Sequence, residues 1–114
     1  MTTRDAFARP PSQGTGTVYA LDAATGKVVW QVHLASAPFG CATVARDAVI
    51  VPTYDGQIRA FAAADGRTLW RTQLRAGNNS CPAVGKDVVV VGSGAPHPGI
   101  AHTVTEVVAY GLAD

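Results

Sequence analysis

The chain has 114 residues, enough for about one ordinary domain, and 47% of them are hydrophobic against 15% charged, a balance that suits a globular, strand-rich protein better than a disordered one. A net charge of +1 supplies no field to draw nucleic acid or anionic lipid, and no apolar run approaches the roughly 18–20 residues that span a bilayer. The first residues, MTTRDAFARPPSQGTG, lack the apolar core of a secretory signal, so no signal peptide is read in this chain.

Residues 1–15 are polar, carry Pro10, Pro11 and Gly14, and show no alternation; they read as a loop or disordered lead-in. TVYALD (17–22) reads as a strand, 23–26 as a turn closed by Gly26, and KVVWQVHL (27–34) as the return strand, with Val28, Trp30 and Val32 on one face. After a loop at 35–40, short strands follow at 41–45 and 48–53, and the apolar run of the second, AVIVPT, predicts burial on both faces. The hairpin recurs at 57–62 and 67–74. A second long loop, RAGNNS (75–80), leads to strands at 81–84 and 87–92. Residues 93–105, SGAPHPGIAHTVT, form an insertion, and EVVAYGL (106–112) is a ninth strand before a two-residue tail, 113–114.

These elements repeat. GTVYALDAATGKVVWQVHL (16–34) matches GQIRAFAAADGRTLWRTQL (56–74) at an offset of 40 without a gap, and Cys41 then falls on Cys81, Val44 on Val84 and Asp47 on Asp87. Such a period, with Gly and Trp in fixed places, marks a stacked array. The chain therefore reads as all-β: four-stranded antiparallel blades of a β-propeller in the order C-D, A-B-C-D, A-B-C over residues 16–112, an incomplete propeller of about two blades. Propellers close with about four to eight blades. The remaining blades of a longer parent chain, or of an oligomeric ring, are the first expected partner, and the absent last D strand suggests the C-terminal end of a closed ring.

The segments Ala20-Leu-Asp22-Ala-Ala-Thr-Gly26-Lys-Val-Val-Trp30 and Ala60-Phe-Ala62-Ala-Ala-Asp-Gly66-Arg-Thr-Leu-Trp70 resemble the tryptophan-docking motif of pyrroloquinoline quinone (PQQ)-like repeat propellers. The second copy has Ala62 where the motif prefers Asp, and the third begins at Ala109 without reaching a Trp. The resemblance implies that Ala20, Asp22, Gly26, Trp30, Ala60, Gly66 and Trp70 are docking positions, and that the indoles join blades rather than stack on a cofactor. A Trp can bury about 150–250 Å² in such a place, an upper bound on the order of 4–6 kcal/mol. The family includes quinoprotein dehydrogenases, scaffolds of outer-membrane assembly and sensor modules. The closing VVVVGSG and EVVAYGL strands look most like the polyvinyl-alcohol-dehydrogenase-like group. Membership implies a periplasmic or extracellular full-length parent, with PQQ and calcium as the cofactors of its enzymes. The adjacent-cysteine disulfide of alcohol-oxidising quinoproteins is absent.

Strand alternation puts the D-to-A and B-to-C loops on one face, so 35–41, 54–56, 75–81 and 93–105 gather there, and a small molecule or a protein is expected on that face. Asn78 and Asn79 read as turn formers or, alternatively, as ligands to a quinone-bound calcium, which needs a carboxylate partner as well. Asp55 in Tyr-Asp-Gly reads as a turn residue, with catalytic base as its alternative. His97 and His102 could face a ligand, but as a metal pair they lack a third donor. Arg59 and Arg75 read as solvated, or as contacts to an anionic cofactor. Cys41 and Cys81 read first as two small buried residues; a bridge would need Cα atoms within about 7 Å, and a place beside a ligand is the third reading. With no P-loop, dinucleotide fingerprint or nucleophile elbow, the first function is a binding or scaffold module. The alternative is the C-terminal part of a PQQ- and calcium-dependent alcohol dehydrogenase.

Overall fold

A computed structural model describes residues 2–4, 10–98 and 104–111. Ten strands run through them: β1 (Thr2–Arg4), β2 (Gly16–Leu21), β3 (Val28–Leu34), β4 (Thr43–Ala45), β5 (Ala48–Pro52), β6 (Gln57–Ala62), β7 (Thr68–Gln73), β8 (Ala83–Val84), β9 (Val88–Ser93) and β10 (Glu106–Gly111). All pair antiparallel, in three sheets ordered β1-β2-β3, β4-β5-β6-β7 and β8-β9-β10. The middle sheet is one complete blade and its flanks are three-stranded blades. The fold is that of propeller blades in an open array.

The lead-in differs from expectation. Thr2–Arg4 is a strand, with Thr2 opposite Val18 and Arg4 opposite Gly16, and Pro11–Gln13 is a single 3-10 turn. Thr-Thr-Arg carries no alternation that a sequence pattern could show; its pairing is dictated by the open edge of β2, a partner more than ten residues away. The first blade is thus B-C-D rather than C-D. The tail at 113–114 and His102 lie outside the described residues.

Hydrophobic cores form between blades, and the middle sheet buries both its faces, one against each neighbour. Val18, Trp30 and Leu34 of the first blade meet Val51 and Phe61 of the second. Ile50, Ile58, Ala60 and Leu74, on the opposite face of that second blade, meet Val91 of the third. Adjacent Ile50 and Val51, 5% and 0% exposed, face opposite ways, which is why β5 is apolar throughout.

Both C-D hairpins bulge at one place. Ala20 pairs with Trp30 but Leu21 with Val28; Ala60 pairs with Trp70 but Phe61 with Thr68. The extra residues, Val29 and Leu69, are exposed, and so is Val28, which therefore does not share the buried face of Trp30. A bulge breaks the two-residue period and re-aims the next side chain, here the indole.

Trp30 crosses to the second blade. Its Nε1–H donates to the Ala63 carbonyl at 2.8 Å and its ring lies over Gly66, where a Cβ would come within 2.6 Å of the indole. Gly66 also holds φ at +76°, so the position demands glycine on two counts. Trp70 meets the third blade through the Tyr110 ring, edge-on at 5.1 Å, and stays 37% exposed where Trp30 is 8% exposed.

Cys41 and Cys81 are bonded to each other, with Cα atoms 4.9 Å apart, and both are exposed. The first reading, two buried small residues, is overturned. Blades converge at the axis, so equivalent residues just ahead of the innermost strands, β4 and β8, come within bonding reach. Thr43 Oγ1 donates to the Pro82 carbonyl at 2.9 Å beside the bridge.

Candidate functional site on the long-loop face

The loops that alternation assigns to one face are joined to one another there by backbone hydrogen bonds. Tyr54 N–H donates to the Ala37 carbonyl at 2.8 Å and Asp55 N–H to Ser36 Oγ at 3.1 Å, tying the first D-A loop to the B-C turn of the second blade. Gly77 N–H donates to the Ala95 carbonyl at 2.8 Å, while the Gly94 and Ala95 amides donate back to the Gly77 carbonyl at 3.0 Å. The second D-A loop is thereby zipped to the insertion that follows β9. A Cβ on Gly77 would run into the Tyr54 carbonyl and lie 2.7 Å from that of Ala95, so three loops meet at a point only glycine permits.

Between the second and third blades this face opens into a cleft of about 520 Å³. Tyr54, Asn79, Ser93, Pro96, Thr105 and Glu106 are among its lining residues. The Tyr54 ring is flanked by Phe39 at 5.1 Å and by His97 at 5.9 Å, an aromatic row drawn from three loops. Glu106, at the start of β10, accepts two hydrogen bonds on Oε2 from Arg75, from Nε at 3.1 Å and Nη2 at 2.8 Å. Its Oε1 accepts a longer bond, 3.5 Å, from Ser93 Oγ. The Arg75 hydrogen bond holds the Glu106 carboxyl below its ordinary pKa and raises that of the guanidinium, so both stay charged at neutral pH.

The residues singled out in sequence occupy different positions around this cleft. Asn79 lines it and is exposed. Asn78 is buried and closes its own loop: its amide donates to Ser80 Oγ at 3.2 Å and to the Gly92 carbonyl, and its oxygen accepts from Ser80 N–H at 2.9 Å. Cys81 has its sulfur in the bridge, beyond use as a thiol ligand. His97 stands beside Tyr54. Asp55 Oδ1 accepts from Thr53 Oγ1 and, at 3.2 Å, from Gln57 N–H, which shapes its turn. Arg59 lies over Phe61, 4.7 Å from the ring centre, and donates to Thr68 at 2.9 Å, away from the cleft.

Tyr54, Ser93 and Thr105 fall in segments that alternation assigns to this face but are not singled out in sequence, and Glu106 reads there only as the start of a strand. One signal was available: in the repeat register Glu106 stands where Gln57 does, Thr105 where Gly56 does, and Arg75 where Ala35 does. Departures between sister repeats at loop positions mark the site, while agreement marks the frame.

The described residues of this cleft do not by themselves assemble a calcium site. Hard cations take clustered oxygen ligands, carboxylates foremost. Among the described residues no three His, Cys, Asp or Glu side chains gather closely enough to hold a metal; the Asn78 oxygen accepts from Ser80 N–H, and Glu106 Oε2 is engaged by Arg75.

Tandem antiparallel blades, joined by an indole that crosses from one to the next, make this a segment of a β-propeller. The family model described as outer membrane protein assembly factor BamB matches residues 6–110, and the chain belongs to that family of PQQ-like repeat propellers. Quinohemoprotein alcohol dehydrogenase ADHIIG from Pseudomonas putida HK5 is similar over 89% of this chain and 17% of its own, with 22% identity and a TM-score of 0.70. BamB from Moraxella catarrhalis is similar over 73% of this chain and 26% of its own, with 32% identity and a TM-score of 0.61. Quinohemoprotein alcohol dehydrogenase from Comamonas testosteroni is similar over 78% and 14%, with 29% identity and a TM-score of 0.60. The chain thus spans about a quarter or less of these structures. No curated protein sequence matches it significantly. No helix among the described residues is long and apolar enough to cross a membrane.

Proposed function

We propose that the chain is part of a PQQ-like propeller that works as a binding scaffold, with the D-A and B-C loop face as its recognition surface. A ligand or a protein docks there, and further blades of a longer chain complete the ring. The observation that supports this reading is the built face itself: three loops are joined there by backbone hydrogen bonds around a cleft that presents Tyr54, Asn79, Thr105 and the Arg75-paired Glu106. Fold likeness to dehydrogenases does not carry catalysis across.

The exposed Cys41–Cys81 bridge belongs to an oxidising compartment, which supports a periplasmic or extracellular site for the full-length protein. The test of the scaffold reading is reconstitution of the full-length protein with PQQ and calcium, followed by dye-linked alcohol oxidation. The expected result is no quinone absorbance and no turnover. Stoichiometric quinone uptake with turnover makes the protein a dehydrogenase and ends the scaffold reading.

A further inference from the structure

We propose that the cleft between the second and third blades binds a neutral, hydroxyl-rich ligand of the class of a short uncharged glycan; this rests on the scaffold reading and names the ligand for its recognition face.

Charge decides the class. Among the described residues that line it, the cleft holds one carboxylate, Glu106, and its charge is balanced by Arg75 at 2.8 Å. An ammonium or guanidinium ligand would meet Arg75 as it approached Glu106, and a carboxylate or phosphate would meet Glu106 as it approached Arg75. Like-charge juxtaposition of either kind is unfavourable. A neutral ligand escapes both, yet finds donors and acceptors of both kinds.

Those groups are disposed for hydroxyls. Both Arg75 bonds fall on Oε2 of Glu106, so Oε1, held only by Ser93 Oγ at 3.5 Å, keeps acceptor capacity for a ligand O–H. The Asn79 amide and the Thr105 hydroxyl line the cleft, are exposed, and have no hydrogen-bond partner among the described residues. An amide and a hydroxyl each both donate and accept, as sugar hydroxyls do. Tyr54 and Pro96 supply the apolar wall, and Tyr54 is braced by its two aromatic neighbours. The electron-rich face of an aromatic ring attracts the positive C–H edge of a pyranose. At about 520 Å³ the cleft falls within the roughly 300–1,000 Å³ typical of small-molecule sites.

The experiment titrates the full-length protein, with its disulfide intact, with maltotetraose, while tetralysine and PQQ with calcium are titrated in parallel. Amide NMR spectra report both binding and the folded state of every variant. Saturable shifts at Tyr54, Asn79, Thr105 and Glu106 are expected for maltotetraose alone. Asn79→Ala combined with Thr105→Val, both at exposed positions, should weaken it about tenfold or more while the spectrum stays dispersed. Glu106→Gln should weaken maltotetraose by several-fold and should not admit tetralysine. The ligand assignment is overturned if tens of millimolar maltotetraose produce no saturable shift, if the double variant binds as the parent does, or if tetralysine binds in its place. Those outcomes leave the scaffold reading standing. Quinone-dependent turnover of the full-length protein removes that reading, and this inference with it.

Discussion

Trp30 shows how much one side chain carries. Its indole fills the junction of the first two blades and satisfies its own N–H on the Ala63 carbonyl, so truncation opens a cavity and leaves that carbonyl without its partner. Trp30→Ala is expected to cost about 3–5 kcal/mol in a denaturant melt. Gly66→Ala should cost about 1–3 kcal/mol through the clash with the same ring, and the two losses should not add, because the residues touch. Glu106 makes a second prediction. Its folded pKa lies below the unfolded value because Arg75 hydrogen-bonds the charged form. Its contribution is therefore complete above the ordinary glutamate pKa and is lost as pH falls through the lowered folded value. A melt series taken downward from neutral pH should show this loss in the parent chain, and Glu106→Gln should remove that part of the slope. An unchanged slope would separate the pair from stability.

At the scale of elements, the hairpins and loops divide the work. The bulges at Val29 and Leu69 turn each indole toward the next blade, and the D-A loops hold the cleft. The Cys41–Cys81 bridge joins the two D-A loops across 40 residues of chain, a loop whose closure stabilises by about 4 kcal/mol on the chain-entropy account. Cys41→Ser with Cys81→Ser should lower the melting midpoint by a corresponding amount, and reduction with dithiothreitol should reproduce the effect in the parent but not in the variant. If the variant melts where the parent does, the bridge does not staple the blades. Strand positions were largely legible in the sequence, since nine strands lie within two residues of the alternating runs. β1 was not, because Thr-Thr-Arg has no pattern of its own and owes its pairing to the edge of β2.

At the scale of the molecule, the cores lie between sheets rather than within any one of them, so each blade depends on its neighbours, as in other repeat arrays. The sequence by itself determined the repeat, the antiparallel blades and the face on which the long loops gather. Those properties follow from local periodicity and from strand direction, which a chain displays along its length. Asn79 could be assigned to that face for the same reason. Only the tertiary structure decided that Cys41 bonds Cys81, that Arg75 neutralises Glu106 from 31 positions away, and that Asn78 turns inward while Asn79 lines the cleft. The first two depend on how closely two blades approach at a given radius from the axis, a distance set by the packing between sheets that no single repeat encodes. The third depends on hydrogen bonds that draw Asn78 onto Ser80 and the Gly92 carbonyl.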